Sequence, residues 1–400
     1  MIPTPLHILI LEDNPADAVL MVHELRQRGV DCTWQRVETR AEYLTHLGPQ
    51  YEVILADYTL PEFTAPQALK LMKFTEQGSI GLVVHSLKDD VEFKVTDTEG
   101  IHARSHRRTM MKFGIVPINL QEFTNPDVLI PFVQRAEALG YESVWTAEHV
   151  IIPTTYTSVY PYNPSGKLPF PADAAILDPL VALTFIAAVT TRLRLGTGVN
   201  ILPQMNPLYL AKWASSLDHL SRGRLMLGVG IGWLREEFEA IGVPFAHRGR
   251  RADDYLQALK AVWTGEEVNY QGEFVRWQGF MMRPRPVQPG GVPLVIGGVS
   301  PTAIQRTVRY GDGWYVIGKN LDEYRSHVQA LADECARQGR NQSELEITAY
   351  WNYYREGIDS LTVYEDLGVH RLLVNMHALR EHDVTVALER FAEKVIAKHG

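Results

Sequence analysis

Cysteine is nearly absent. Cys32 and Cys335 are the only two in 400 residues, far apart and in no CxxC pair. That excludes a disulfide framework and a cysteine zinc site, and it suits a reducing cytosol. Long hydrophobic runs are missing too. No uninterrupted apolar stretch approaches the ~20 residues that a membrane span requires. Glu12, Asp13 and Asp17 stand where a secretory leader would need an apolar core. Basic charge is not in excess: 39 Lys and Arg against 47 Asp and Glu give a net charge of −8. Such a chain is poorly suited to holding a nucleic-acid backbone by charge. The expectation is a cytoplasmic protein acting on a small molecule, with neither nucleic acid nor membrane as partner. Composition is otherwise ordinary, 46% apolar and 22% charged, which rules out bulk disorder, and the length suffices for two domains.

The stretch Lys88 to Thr109 is polar, densely charged and weakly periodic. Residues 88–110 therefore read as a linker between a first module, 1–87, and a second, 111–400. In the first module, apolar strands at Leu6–Leu11, Val53–Ala56 and Leu82–Val84 alternate with a helical pattern over Pro15–Gly29. That alternation implies a parallel sheet with function at the carboxyl ends of its strands, where Glu12, Asp13 and Asp57 stand. With LEDNPADA and ADYTLPEFTAPQAL, the module resembles the receiver domain of bacterial response regulators. The resemblance implies that Glu12, Asp13 and Asp57 hold Mg²⁺. It also implies that Asp57 accepts a phosphoryl group, with a histidine kinase as partner, and that Ser86 is the switch hydroxyl. A divalent cation would offset the carboxylate repulsion and steady the transferring phosphoryl. The pattern departs from that family after Ser86, because no later strand carries the expected lysine. The module is thus an incomplete flavodoxin-like α/β fold with a sheet edge left to cover.

From Met111 onward, eight strand patterns can be counted: Phe113–Ile118, Ser143–Glu148, Leu193–Ile201, Leu225–Gly230, Pro293–Gly297, Trp314–Ile317, Leu345–Trp351 and Arg371–Asn375. Helical patterns follow them at Asp127–Leu139, Pro179–Val189, Pro207–Leu220, Arg248–Trp263, Pro301–Tyr310, Asp322–Gln338, Ser360–Leu367 and Val384–Ala397. Eight βα pairs predict a (β/α)₈ TIM barrel. Two insertions stand out: a Pro/Tyr/Gly-rich loop over Ile151–Ile176, and Thr264–Val292, which has room for a small hairpin. In this fold the βα loops build the site. The strand ends there carry Glu148-His149, Gly196-Thr197-Gly198-Val199-Asn200, Gly230-Ile231-Gly232-Trp233 and Gly297-Gly298-Val299-Ser300. Glycine-rich backbone on adjacent strand ends permits close approach of a flat ligand. A Gly-Gly-Val-Ser turn opening a helix is a ready anion site.

Long segments carry a second resemblance: ESVWTAEH (Glu142–His149), DPLVALTFIAAVTTRLRLGTGV (Asp178–Val199), NPLYLAKWASSLDHLSRGRLMLGVGIGWLREEFEAIG (Asn206–Gly242) and IGGVSPTAIQRTVRYGDGW (Ile296–Trp314). Residues 111–400 resemble the luciferase-like monooxygenase superfamily, in its coenzyme F420-dependent oxidoreductase branch. The resemblance implies a deazaflavin in the barrel mouth, resting against a strand-three bulge with a non-proline cis peptide at Gly198-Val199. It assigns phosphate contacts to Gly297, Gly298, Val299 and Ser300, and further cofactor contacts to Gly230, Ile231 and Gly232, with Thr197 and Asn200 beside them. His149 matches the histidine near the reactive ring carbon. With Glu148 it forms the catalytic pair, since imidazole ordinarily titrates near neutral pH. FMN with O₂ is the alternative cofactor chemistry. A receiver-controlled signalling effector is the alternative of another class. A homodimer also follows from the resemblance.

Departures narrow the substrate. The sugar-phosphate dehydrogenases of the family carry a tryptophan where this chain has Pro153 and an acid where it has Trp233. The loop Thr154–Pro171, with Tyr156, Tyr160, Tyr162 and Phe170, is expected to lid an apolar pocket. Arg222 and Arg224 precede strand four and read as structural. His247, Arg248, Arg250 and Arg251 read as a solvated helix start. No metal-ligand set appears in the barrel pattern.

Overall fold

The computed structural model describes residues 6–12, 14–27, 31–46, 53–57, 81–85, 110–379 and 383–399. The chain divides into two units, Met1–Thr109 and Met110–Gly400.

The first unit contains β1 (Leu6–Leu11), α1 (Pro15–Gln27), β2 (Cys32–Val37), α2 (Arg40–His46), β3 (Val53–Asp57) and β4 (Gly81–His85). The strands are parallel and ordered β2-β1-β3-β4. These are the first four places of the 2-1-3-4-5 doubly wound order. Ile8, Leu9, Ile10 and Leu11 are all buried, as a strand covered on both faces requires. Glu12 follows β1, is buried, and accepts the Asn14 amide at 3.0 Å. Asp57 closes β3. Asp13, Ser86 and the expected linker over 88–109 lie outside the described residues.

The second unit runs β5 (Lys112–Ile115), α3 (Pro126–Ala138), β6 (Ser143–Thr146), α4 (Pro179–Val189), β7 (Arg194–Thr197), β8 (Asn200–Ile201), α5 (Pro207–Ser221), β9 (Leu225–Gly230), α6 (Arg235–Ala240), α7 (Arg248–Trp263), β10 (Val268–Gln271), β11 (Arg276–Phe280), β12 (Leu294–Gly297), α8 (Pro301–Tyr310), β13 (Gly313–Val316), α9 (Leu321–Gln338), β14 (Glu346–Trp351), α10 (Leu361–Asp366), β15 (Arg371–Val374) and α11 (Val384–Phe391). The ring of parallel strands β12-β13-β14-β15-β5-β6-β7-β9 closes through β9 pairing with β12. β7 and β8 are two pieces of one strand position, both on β9. The result is the expected closed eight-strand barrel. The 264–292 insertion holds the β10–β11 antiparallel hairpin.

Local sequence explains the helix starts. Asn125, Asp178, Asn206 and Ser300 cap α3, α4, α5 and α8 with their side chains, and a proline follows each. The cap satisfies a free amide and proline removes another. Inside the ring, Val116, Trp145, Met226, Val295, Tyr315 and Leu373 pack together. Gly196 is bare because a side chain there would run into the Trp145 indole.

The amino ends of the strands are shut by ions. Arg371 is fully buried, with its guanidinium 2.7 Å from Glu142 and 3.2 Å from Glu346. Lys112 also pairs with Glu346. Burial opposes the charge on Glu346, but Arg371 and Lys112 hold its carboxyl down at about 2. Arg224 reaches the carbonyls of Ala187, Thr190 and Leu193, closing the end of α4. Its structural reading stands. Near it, His219, Arg222, Gly223, Val287, Gln288 and Pro289 line a shallow open depression ahead of β9. With this end closed, the barrel offers its carboxyl end for chemistry.

Candidate active site at the barrel mouth

The third strand position breaks at the mouth. Thr197 ends β7 with its hydroxyl donating to Gly228 O at 2.6 Å, and the Gly198 amide donates to Thr146 O at 2.7 Å. The next peptide, Gly198-Val199, is cis, where the resemblance placed it. Val199 projects between the ends of β9 and β12. A Cβ on Gly230 would stand 2.7 Å from Val199 Cγ2, and one on Gly297 would stand 2.9 Å from Cγ1. The side-chain space at these glycines is taken by the valine methyls. Gly232, at φ +75°, makes room for Ile201 and Phe238 in the same way. Val199 rests on the inner cluster beside Ile317 and Tyr350, and Tyr315 stacks on Trp145 at 5.8 Å.

Glu148 is buried behind this bulge. Its Oε1 accepts Asn200 Nδ2 at 3.1 Å, and its Oε2 accepts the Ile201 amide. Both oxygens thus hold β8, which makes Glu148 a positioning group for the strand after the cis peptide. Burial raises its pKa to about 8. The Ile201 amide opposes the rise, and the carboxylates of Asp178 and Glu237 add to it.

His149 is held by a residue the sequence pattern did not single out. Its Nδ1 lies 3.1 Å from Glu237 Oε2. Glu237 Oε1 also accepts the Val150 amide at 2.6 Å and the Ile151 amide at 3.4 Å. Glu237 is buried on α6, a short helix that periodicity does not reveal. A carboxylate can only accept, so Nδ1 carries a hydrogen, and in the neutral ring Nε2 is then the nitrogen with the lone pair. Nε2 has no protein partner among the described residues. The sequence does contain the acidic pair Glu236-Glu237 in REEFEA, and acids favour a first helical turn. Nothing in the spacing ties it to position 149.

The same helix pins the long loop. Glu236 accepts the Thr157 amide at 2.6 Å, Thr157 Oγ1 at 3.0 Å, the Ser158 amide at 3.2 Å and Ser158 Oγ at 2.6 Å. Burial opposes its charge, but these donors hold its carboxyl at about 2. The expected lid is therefore tied down, and its rings gather on Trp233. Tyr160 lies 5.2 Å from that indole, Tyr156 5.7 Å and His149 6.0 Å, all edge-on.

At the β12–α8 turn, Gly297 ends the strand and the Gly298 amide donates to Tyr315 O at 3.3 Å, at φ +113°. Ser300 caps α8 through the Ala303 amide. The amides of Val299 and Ser300 have no protein partner among the described residues. The side chains of Val299 and Ile231 turn away to pack on the barrel core. The "solvated helix start" needs correction. Arg251 is buried and donates to Pro244 O at 2.8 Å, while Arg248 donates to Gly232 O at 3.1 Å and stacks on Phe245. Among these residues, Arg250 alone keeps an exposed surface pairing, with Glu273.

Buried polar groups are normally paired. Here Thr146 Oγ1, Asn200 Oδ1 and both amide atoms of Gln204 are buried without a partner among the described residues. They stand at the end of β6, on β8 and in the turn after β8. The free amides at α8, these polar atoms and the Val199 platform together suit a ligand with a flat apolar ring and an anionic end. No group of three or more metal-ligating side chains occurs among the described residues. No described helix is long and apolar enough to cross a membrane.

Relatives share this architecture. Residues 109–356 match the family described as luciferase-like monooxygenase. An uncharacterized protein of Mycobacterium tuberculosis is 34% identical over 286 residues, 71% of this chain and 99% of its own length. An F420-dependent glucose-6-phosphate dehydrogenase of Kineococcus radiotolerans is 30% identical, over 56% of this chain and 62% of its own. An FMNH₂-dependent dimethylsulfone monooxygenase of Pseudomonas putida is 29% identical, over 35% of this chain and 39% of its own. In fold, the coenzyme F420-dependent tetrahydromethanopterin reductase of Methanopyrus kandleri superposes with a TM-score of 0.58 at 17% identity, covering 72% of this chain and 99% of that one. The family match covers most of the barrel unit and the near full-length relative spans the same region: the chain belongs to the luciferase-like monooxygenase family.

Proposed function

We propose that this chain is an F420-dependent oxidoreductase acting on a small organic substrate at the barrel mouth. The observation that carries the reading is the His149–Glu237 pair in the loop after β6, at the same carboxyl end of the barrel as the Val199 bulge. Val199 supports the ring, and the turn after β12 offers the free amides of Val299 and Ser300, with the α8 dipole, to the phosphate. Gly230, Ile231, Gly232, Thr197 and Asn200 complete the cradle. When bound, the deazaflavin supplies hydride exchange at its C5. His149 takes or gives the substrate's proton at Nε2, because Glu237 keeps the other ring nitrogen protonated. Glu148 fixes β8, and the pinned loop limits access of water.

FMN is the second reading, supported by the FMNH₂-dependent relative. Titration of the purified full chain with F420 and with FMN decides between them. Saturable F420 binding without O₂ consumption supports the proposal. Binding of FMN alone, with O₂ consumed by the reduced complex, replaces it. A soluble cytoplasmic homodimer belongs to the same reading and is checked by sedimentation.

For the first unit, the strand order supports a receiver ancestry, with Glu12, Asp13 and Asp57 as the Mg²⁺ and phosphoryl site. Treatment with acetyl phosphate and Mg²⁺ should then add one phosphate, lost in Asp57→Ala. An unchanged intact mass rejects phosphotransfer.

A further inference from the structure

We infer that the substrate of this mouth is an uncharged molecule with a flat apolar body and an oxygen that accepts a hydrogen bond, not a phosphate or carboxylate. The inference rests on the proposed function and narrows its substrate. The first observation is the aromatic wall. Trp233 is the hub on which His149, Tyr156 and Tyr160 meet edge-on, and Tyr162 adds to Tyr160 at 5.6 Å. Aromatic walls of this kind favour flat apolar bodies.

The second observation is a group of phenols. Tyr315 and Tyr350 pack at the inner cluster with Val199. Tyr160 and Tyr162 of the loop lie close enough to the buried Tyr315 phenol to act on it electrostatically, as do Tyr350 and Tyr324. A phenol is neutral at pH 7, so Tyr160, Tyr162, Tyr315 and Tyr350 each offer a hydroxyl rather than a charge.

The third observation concerns cations. The loop 151–176 carries one, Lys167. It is committed to Tyr156, donating to its carbonyl at 3.0 Å and lying 4.1 Å over its ring. Arg235 and Arg248 both stack on Phe245. Glu237 is occupied by His149 and two amides, and Glu236 by Thr157 and Ser158. An anion placed against this aromatic wall would lose its hydration and find no uncommitted cation on the loop to replace it. A neutral ligand loses little and gains the phenol donors.

The test uses two probes with the same ring system, 2-naphthol and 2-naphthyl phosphate, each titrated into the full chain at pH 7, with and without added cofactor. Tryptophan fluorescence is the readout. We expect 2-naphthol to bind at least 10-fold more tightly than the phosphate ester, and Trp233→Phe to weaken it severalfold. Tyr162→Arg, at a half-exposed ring, should shift the preference toward the ester. Equal or tighter binding of the ester by the wild type overturns the inference, as does an unchanged preference in Tyr162→Arg. Cofactor affinity is measured separately. If neither F420 nor FMN binds while the naphthol preference holds, the redox reading fails and the pocket assignment stands. If a cofactor binds and the ester is preferred, the pocket assignment fails alone.

Discussion

Replacing Glu237 by glutamine should move the proton of His149 from one ring nitrogen to the other. In the wild type the carboxylate accepts from Nδ1 and from the amides of Val150 and Ile151. A glutamine of the same shape still accepts both backbone bonds through its oxygen. Its NH₂ group, however, donates to Nδ1, which forces the hydrogen onto Nε2. A ring so arranged has lost the lone pair that takes a substrate proton. General base help is worth ~10²–10⁴-fold in rate, and a loss of that order is expected in the proton-transfer step. Stability should change little. Glu237→Ala separates the two roles of the carboxylate. It leaves two amides without an acceptor at roughly 1–3 kcal/mol each. Together that is about 2–6 kcal/mol, or roughly 4–24 °C in Tm for a domain of this size. The decisive assay needs no substrate: ¹⁵N NMR of histidine-labelled full chain reads the tautomer directly. Wild type should show an Nδ1–H ring that becomes Nε2–H in Glu237→Gln. The same tautomer in both proteins would refute the reasoning.

Three further outcomes are expected. Glu148 has a pKa of about 8 against 4.5 for a free carboxyl, so the native state binds the extra proton between those values. Its contribution to stability is therefore full below pH 4.5 and lost as pH rises through about 8. Glu148→Gln mimics the protonated form, and its Tm relative to wild type should climb from pH 5 to 8; a constant difference contradicts the assignment. Gly230→Ala should crowd the Val199 methyl now 2.7 Å from the added carbon, costing about 1–3 kcal/mol. The double variant with Val199→Ala should recover most of that loss in thermal melts, and failure to recover means the methyl is not the obstacle. Arg371→Met leaves Glu142 and Glu346 without their buried partner. A loss of about 3–5 kcal/mol is expected in urea unfolding, and a neutral result would mean the floor ions are well solvated.

The barrel was legible because its signals are local. Each βα unit pairs a short apolar run with a capped helix, and Asn125-Pro126, Asp178-Pro179, Asn206-Pro207 and Ser300-Pro301 mark four starts within a residue. The break at Gly198-Val199 and the turn at Gly297–Ser300 were legible through resemblance. The partner of His149 was not, because it lies 88 positions away on a six-residue helix with too few turns to show periodicity. The neighbour of Gly230 and Gly297 was hidden for a related reason: glycine signals that something comes close, but spacing does not reveal that the missing side chains leave room for Val199. The burial of Arg251 was equally hidden, since its partners are backbone carbonyls that leave no mark in the pattern.

The most direct test of the account is native mass spectrometry of the full chain after incubation with F420, alongside wild-type and Gly298→Val protein. At Gly298, φ is +113° and Ala303 crowds an added carbon at 3.1 Å, so a branched side chain distorts the α8 turn. We expect one deazaflavin per chain in the wild type and a strongly reduced fraction in the variant. No bound deazaflavin in the wild type, or equal occupancy in both, would contradict it.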